Sequence, residues 1–223
     1  MQHISKFLMA AFALGCAAHA AAADRVWHPY SEVCEKLQLV KFFDVPEVER
    51  SQLQVLFKTP TLAPDGQPVV LTINAASRPM RVAADAKGLM NIPFDRQLLA
   101  ENPDVLVNLP AGQALTLSLD LRPTLPRQLR LDYVEFMSAV PQANAMIRKQ
   151  AGLMRLLAPK MRKLVLKYDR PDAQVVSIGD GTSATTFRVG PSGEIVVPFD
   201  DARLAANPRI RISDMPQGMD LAE

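Results

Sequence analysis

The stretch GLMNIPFDRQLLAENP, from Gly88 to Pro103, recurs without a gap as GEIVVPFDDARLAANP, from Gly193 to Pro208. In both copies a strand signal runs into Pro-Phe-Asp, a short leucine-bearing turn follows, and Asn-Pro closes the motif. The likeness continues on either side. Val105 and Val107 answer to Ile210 and Ile212, and with one residue of slippage Pro110, Gly112 and Leu115 answer to Pro216, Gly218 and Leu221. Upstream, Val70-Leu71-Thr72-Ile73 matches Val175-Val176-Ser177-Ile178, Val82 matches Phe187, and Tyr30-Ser31-Glu32-Val33 resembles Tyr133-Val134-Glu135-Phe136. The chain is therefore internally duplicated over nearly all of residues 24–223. Two prolines interrupt the pattern at Arg122-Pro123-Thr124-Leu125-Pro126, which divides it into modules 24–125 and 126–223. Two tandem domains and one domain of intertwined halves both satisfy this pattern.

Each module opens with a helix signal. Val33, Leu37 and Val40 recur at helical spacing after Ser31, which is placed as an N-cap, and the pattern stops before Pro46. In the second module Met146, Ile147, Leu153, Met154 and Leu157 form a longer apolar stripe ending at Pro159, with Pro141 separating it from a short preceding turn. Period-two strands follow. They are Leu53-Val55-Phe57, Val69-Leu71-Ile73, Met80-Val82, Met90-Ile92-Phe94, Val105-Val107 and the leucine alternation 115, 117, 119, 121, whose intervening Thr116, Ser118 and Asp120 face away. The second module repeats this with Leu164-Leu166-Tyr168, Ile195-Val197-Phe199 and Ile210-Ile212, the last with Arg209 and Arg211 toward solvent. Turn residues sit between strands at Pro64-Asp65-Gly66, Lys87-Gly88 and Gly190-Pro191-Ser192-Gly193. Six short strands per module predict a mainly β (α+β) protein of two tandem, homologous, β-sandwich-like modules, each preceded by a helix.

Residues 1–23 read as an export signal: Lys6 is the positive flank, Phe7 to Ala18 is apolar, and Ala20 or Ala23 offers the cleavage site. Cys16 after Ala13-Leu14-Gly15 loosely resembles a lipoprotein box, an alternative in which Cys16 carries lipid. Beyond the signal no run of eighteen apolar residues occurs, so no spanning helix is expected. Removing the signal leaves His28 as the one histidine and Cys34 as the one cysteine, which excludes an intramolecular disulfide and a clustered His/Cys metal site. No glycine-rich phosphate loop or GxSxG elbow is present, and no cofactor is implied.

Three groups of residues invite a chemical reading. Asp95 and Asp200 stand where a helical turn begins, and Asn102 and Asn207 stand where it ends, so capping accounts for them. Cys34 and His28 lie six residues apart and could form a thiolate nucleophile, although Cys34 shares the apolar stripe of Val33 and Leu37. Met137, Met146, Met154 and Met161 lie on or beside an apolar stripe and read as core. The strongest asymmetry is charge. Net charge is only +2, yet Arg148, Lys149, Arg155, Lys160, Arg162, Lys163, Lys167 and Arg170 accumulate within one segment, opposed locally by Asp169 alone. Such a segment can meet phospholipid or glycan anions or an acidic protein, or it can be a solvated face balanced from elsewhere in the fold. Nucleic acid is excluded as a partner because aromatic residues are not interleaved for stacking and an exported chain does not meet it.

The duplicated Pro-Phe-Asp…Asn-Pro pattern, the signal and one helix per module resemble a family of proteobacterial envelope proteins of unknown function. The resemblance implies a periplasmic location and carries no activity or functional residue. The function expected is that of a non-enzymatic interaction or scaffold protein for an envelope protein or complex. One alternative is an anionic lipid or glycan binder through residues 148–170; another is an enzyme using Cys34 and His28.

Overall fold

The computed structural model describes residues 24–63, 66–151, 158–169 and 173–223. The export signal with Cys16, the turn residues Pro64 and Asp65, and Leu153, Met154, Arg155, Leu157 and Arg170 lie outside the described residues. The first module runs β1 (Arg25–Pro29), α1 (Tyr30–Lys36), α2 (Leu39–Phe43), β2 (Leu53–Lys58), β3 (Val70–Ile73), β4 (Met80–Ala83), β5 (Leu89–Met90), α3 (Arg96–Glu101), β6 (Asp104–Val107) and β7 (Ser118–Pro123). The second runs β8 (Arg130–Asp132), α4 (Tyr133–Met137), α5 (Ala139–Ala151), β9 (Lys163–Lys167), β10 (Val175–Ile178), β11 (Thr185–Arg188), β12 (Glu194–Pro198), α6 (Asp201–Ala206), β13 (Arg209–Ile212) and β14 (Gly218–Ala222).

Every strand pairing is antiparallel among the described residues. The first module has sheets ordered β1-β6-β3-β4 and β5-β2-β7; the second has β8-β13-β10-β11 and β12-β9-β14. The orders correspond strand for strand, so the protein is mainly β and duplicated at the level of topology. In each module the inward residues of the two sheets meet. Val55 and Phe57 share a core with Leu71, Ile73, Val105 and Val107, as do Leu164 and Leu166 with Val176, Ile178, Ile210 and Ile212. Burying each such side chain contributes about 1.5–3 kcal/mol. Arg209 and Arg211 are exposed while Ile210 and Ile212 are buried, the alternation that the sequence predicts.

Several expectations change. Among the described residues each module has seven strands rather than six, because Arg25–Pro29 and Arg130–Asp132 add edge strands to β6 and β13. The leading helix of the first module is two short helices, broken where Gln38 adopts a left-handed backbone, and Pro29 rather than Ser31 is its N-cap. Pro141 lies inside the first turn of α5, where its missing N–H costs no hydrogen bond. The strand signal at Met90-Ile92-Phe94 yields a ladder at Leu89–Met90 alone. The leucine alternation becomes strand only from Ser118, and Leu119 is 49% exposed. The ladders also move the end of the repeat: Leu121 opposite Val55, not Leu115, corresponds to Leu221 opposite Leu164. The connection 108–117 of the first module is twice the length of its counterpart 213–217, which displaces the sequence match.

The Pro-Phe-Asp motif is joined to the helix start of its own module by a tyrosine. The Tyr30 hydroxyl donates to the Pro93 carbonyl (2.8 Å) and accepts from the Asp95 N–H (3.1 Å). The Tyr133 hydroxyl makes the same pair with the Pro198 carbonyl (3.5 Å) and the Asp200 N–H (2.9 Å). Asp95 and Asp200 then cap α3 and α6 by accepting from the amides of Gln97 and Ala202. Asn102 and Asn207 end those helices in the left-handed conformation and turn their side-chain oxygens onto the N–H groups of Ser31 and Val134. The tyrosine amides complete the clasp by donating to the Pro103 and Pro208 carbonyls. Gly88 and Gly193 open the motif with φ of 76°, and a Cβ there would meet the carbonyl oxygens of Thr59 and Tyr168 at 2.3 and 2.7 Å.

Helix α5 binds the modules to each other. Val140 packs in the second core, whereas Ala139, Ala143 and Met146 complete the first. Gln142 accepts from the Gln52 N–H (3.0 Å) and donates to Ser51 Oγ (3.1 Å). Buried Asn144 makes a two-way amide pair with the Met161 backbone, both bonds 2.8 Å.

Tyr30, Tyr133 and Tyr168 are the chain's only tyrosines, all are buried, and burial pushes each hydroxyl above its ordinary value, Tyr168 to about 12. A hydroxyl that ionises later in the folded state stabilises the fold fully below the unfolded value near 10 and loses that contribution as pH climbs toward the folded value. Absorbance titration should therefore show no tyrosinate at pH 10 and a single rise coincident with unfolding. Tyr30→Phe and Tyr133→Phe should each cost about 1–3 kcal/mol in urea denaturation, because each leaves a part-buried carbonyl and amide without the hydroxyl; a loss under a few tenths would contradict the clasp.

Candidate functional site

The two copies of the motif share a backbone and part company beside it. In the second module β12 pairs with β9 over five residues, from Glu194 opposite Lys167 to Pro198 opposite Lys163. In the first, only Leu89 and Met90 pair with β2. Asn91 stands where the second copy has Val196, and an amide side chain favours a strand less than a β-branched one. Where the chain leaves the ladder, a groove of about 780 Å³ opens between Ser77–Val82 and the segment from Asn91 to Glu101. Its apolar walls come from Met80, Val82, Pro93 and Leu98.

The second module bridges the corresponding place with its own side chain. Arg203 occupies the position of Leu98, donates from Nη2 to Thr185 Oγ1 (2.9 Å) and brings Nε within 3.5 Å of the Asp200 carboxylate. Strands β11 and β12 approach each other there. In the groove, Arg78 and Arg81 are exposed and, among the described residues, have no carboxylate within ion-pair distance. The acids of the opposite wall are engaged: Asp95 with the Gln97 N–H, and Glu101 with the Gln97 side chain at 2.9 Å.

The basic segment is partly neutralised. Lys167 pairs with Asp220 of β14 and lies 3.8 Å from Glu194 of β12, so Asp169 is not its only opposing charge. Arg148 and Lys149 are exposed at the end of α5, and Lys160, Arg162 and Lys163 are exposed at the entry to β9. None of these five meets a carboxylate among the described residues. The Asn144–Met161 amide pair draws them together, since Arg148 is one helical turn beyond Asn144 while Lys160 and Arg162 flank Met161. Arg155 lies outside the described residues.

His28 and Cys34 have separate surroundings. His28 Nδ1 lies 3.1 Å from Glu32, and Lys36 lies 2.8 Å from the same carboxylate and 3.2 Å from His28 Nε2. The hydrogen bond from Lys36, then the charges of His28 and Lys36, hold the Glu32 carboxyl below its usual range. Cys34 is fully buried in the first core, and burial pushes its thiol up, away from the thiolate that a nucleophile needs. Met137 and Met146 are buried core residues, and Met161 packs against both cores. No group of three metal-ligating side chains occurs among the described residues, and no helix among them is long and apolar enough to cross a membrane.

Comparison of the chain with protein-family models, curated proteins and solved structures finds no match. The groove was not among the sites expected from the sequence. Its signal lies in the differences between the copies, Asn91 against Val196 and Leu98 against Arg203, rather than in their likeness.

For the chain beginning at Asp24, a thiol reagent should leave Cys34 unmodified in buffer and modify it once urea unfolds the protein. Rapid modification in buffer would mean that Cys34 is reachable in the folded state.

Proposed function

We propose that this protein acts by binding, as a non-enzymatic interaction or scaffold protein of the cell envelope. The observation that carries the reading is the groove beside Leu98, open in the first module and bridged by Arg203 in the second. The duplication supplies an internal control. The same clasp and sheet order surround both places, so the difference between them lies in the ladder and in the side chains at Leu98 and Arg203. Helix α5 strengthens the reading: its bonds to Gln52 and Ser51 of the first module hold the modules in one mutual placement, as a scaffold requires. A photoreactive amino acid at Ser77 in intact cells should yield a discrete protein adduct that the same group at Thr182, its second-module counterpart, does not. Identical capture from both positions, or none above an unirradiated control, would count against it.

A second reading, supported by five unneutralised cations near the Asn144–Met161 pair, is attachment to an anionic envelope surface. Binding to vesicles containing phosphatidylglycerol should then fall as salt rises from low to about 0.15 M, where the screening length is near 8 Å. Reversing Lys160, Arg162 and Lys163 to glutamate should abolish it, and retention by that variant would remove this reading.

A further inference from the structure

Strand β4 is the outer strand of its sheet, and the register fixes which of its backbone groups are left over. The Ala84 N–H donates to the Val69 carbonyl, so the hydrogen-bonded pairs with β3 continue two residues apart as Leu71 with Val82 and Ile73 with Met80. The N–H and C=O groups of Arg81 and Ala83 therefore point away from β3, and Arg81 lines the groove. A row of outward amides beside an apolar floor is a template for one more strand.

We infer that the groove receives an extended segment of a partner polypeptide, which adds antiparallel or parallel to β4 and places a carboxylate side chain beside Arg78 and Arg81. This deepens the interaction reading above and rests on it. Charge chooses the partner. Two copies of this chain pairing through β4 would set these arginines against their own counterparts, and like charges across a strand pair repel. An acidic strand meets them as opposites. The second module shows what satisfies such a place from within: Arg203, paired with Asp200 on its own wall, reaches across the gap to the Thr185 hydroxyl of β11. In the first module the cations are on the strand side and Leu98 leaves the gap unfilled. Asp95 and Glu101, the acids of the far wall, already accept hydrogen bonds from Gln97, which leaves Arg78 and Arg81 to set the preference of the strand side.

The test uses the whole exported chain and two end-capped, fluorescent octapeptides, one alternating valine with glutamate and the other valine with lysine. Anisotropy should show the glutamate peptide binding at least about tenfold more tightly at low salt, with the gap narrowing as salt screens it. Reversing Arg78 and Arg81 to glutamate should invert the ranking. Methylating alternate peptide nitrogens, which leaves the protein untouched, should weaken binding by about tenfold or more if main-chain pairing to β4 carries it; Ala83→Pro should do the same, since its N–H faces outward. Equal affinity for both peptides, or indifference to methylation and to Ala83→Pro, overturns the inference. So does a dimer that sediments as such and is broken by Ala83→Pro, since a second copy would then be the occupant. A Ser77 adduct in cells with no peptide binding defeats this inference alone, whereas peptide binding with no adduct supports the groove chemistry and defeats the envelope-partner reading.

Discussion

The tyrosine hydroxyl that bridges the Pro and Asp backbone groups of each repeat is the contact on which the rest of the architecture depends. It lies where three things must be reconciled: the end of the outer strand of one sheet, the start of a short helix and the first turn of the module's leading helix. A chain leaving a strand exposes a carbonyl and an amide, and burying them unpaired costs about 1–3 kcal/mol each. One hydroxyl, both donor and acceptor, satisfies the two at once. The asparagine at the far end of the same helix returns to cap the helix that carries the tyrosine, so the clasp closes on itself. Either element alone would leave the other's polar groups in the core.

This explains why Pro-Phe-Asp…Asn-Pro is the most legible stretch of the sequence. Its glycine, aspartate and asparagine are each held by a local geometric need: positive φ against a carbonyl, a helix start and a left-handed helix end. Such needs act over a few residues and leave a mark in the sequence. The fold class was readable for the same reason, since period-two burial is local. What was not readable depends on partners distant in sequence. Arg25–Pro29 becomes a strand only because β6 is there to pair with it. Ser31 looks like a cap, yet the cap comes from Asn102, 71 residues away. The leucine alternation at 115–121 looks uniform, but the longer connection before β7 decides how much of it enters the ladder.

The basic segment teaches the same lesson about charge. Along the sequence Lys167 belongs to a run opposed by one aspartate, while across the sheet it stands between Glu194 and Asp220 on neighbouring strands. Cross-strand neighbours, not sequence neighbours, set the local balance in a β protein. The cations beyond the ladder, at Lys160 and Arg162 and at the end of α5, escape this neutralisation because no strand flanks them on the acidic side.

Duplication adds an argument that a single-copy fold does not offer. Two modules with one topology must meet the same demands for core volume, helix capping and strand ends, so residues serving those demands coincide. Residues serving anything else are free to diverge. One divergence lies where β5 leaves its ladder. Asn91 replaces a valine that would extend pairing with β2, and Leu98 replaces an arginine that would span the gap. Leu98 is itself buried in the first core, so it packs where the second module's arginine bridges, and the groove lies beside it. An outer strand left uncovered beside apolar surface tends toward unwanted pairing. Both modules keep an outer strand here, β4 and β11; the first has Arg78 and Arg81 beside an apolar groove where the second has Arg203 bridged to Thr185, and that difference is the physical support for the recognition proposed in the first module.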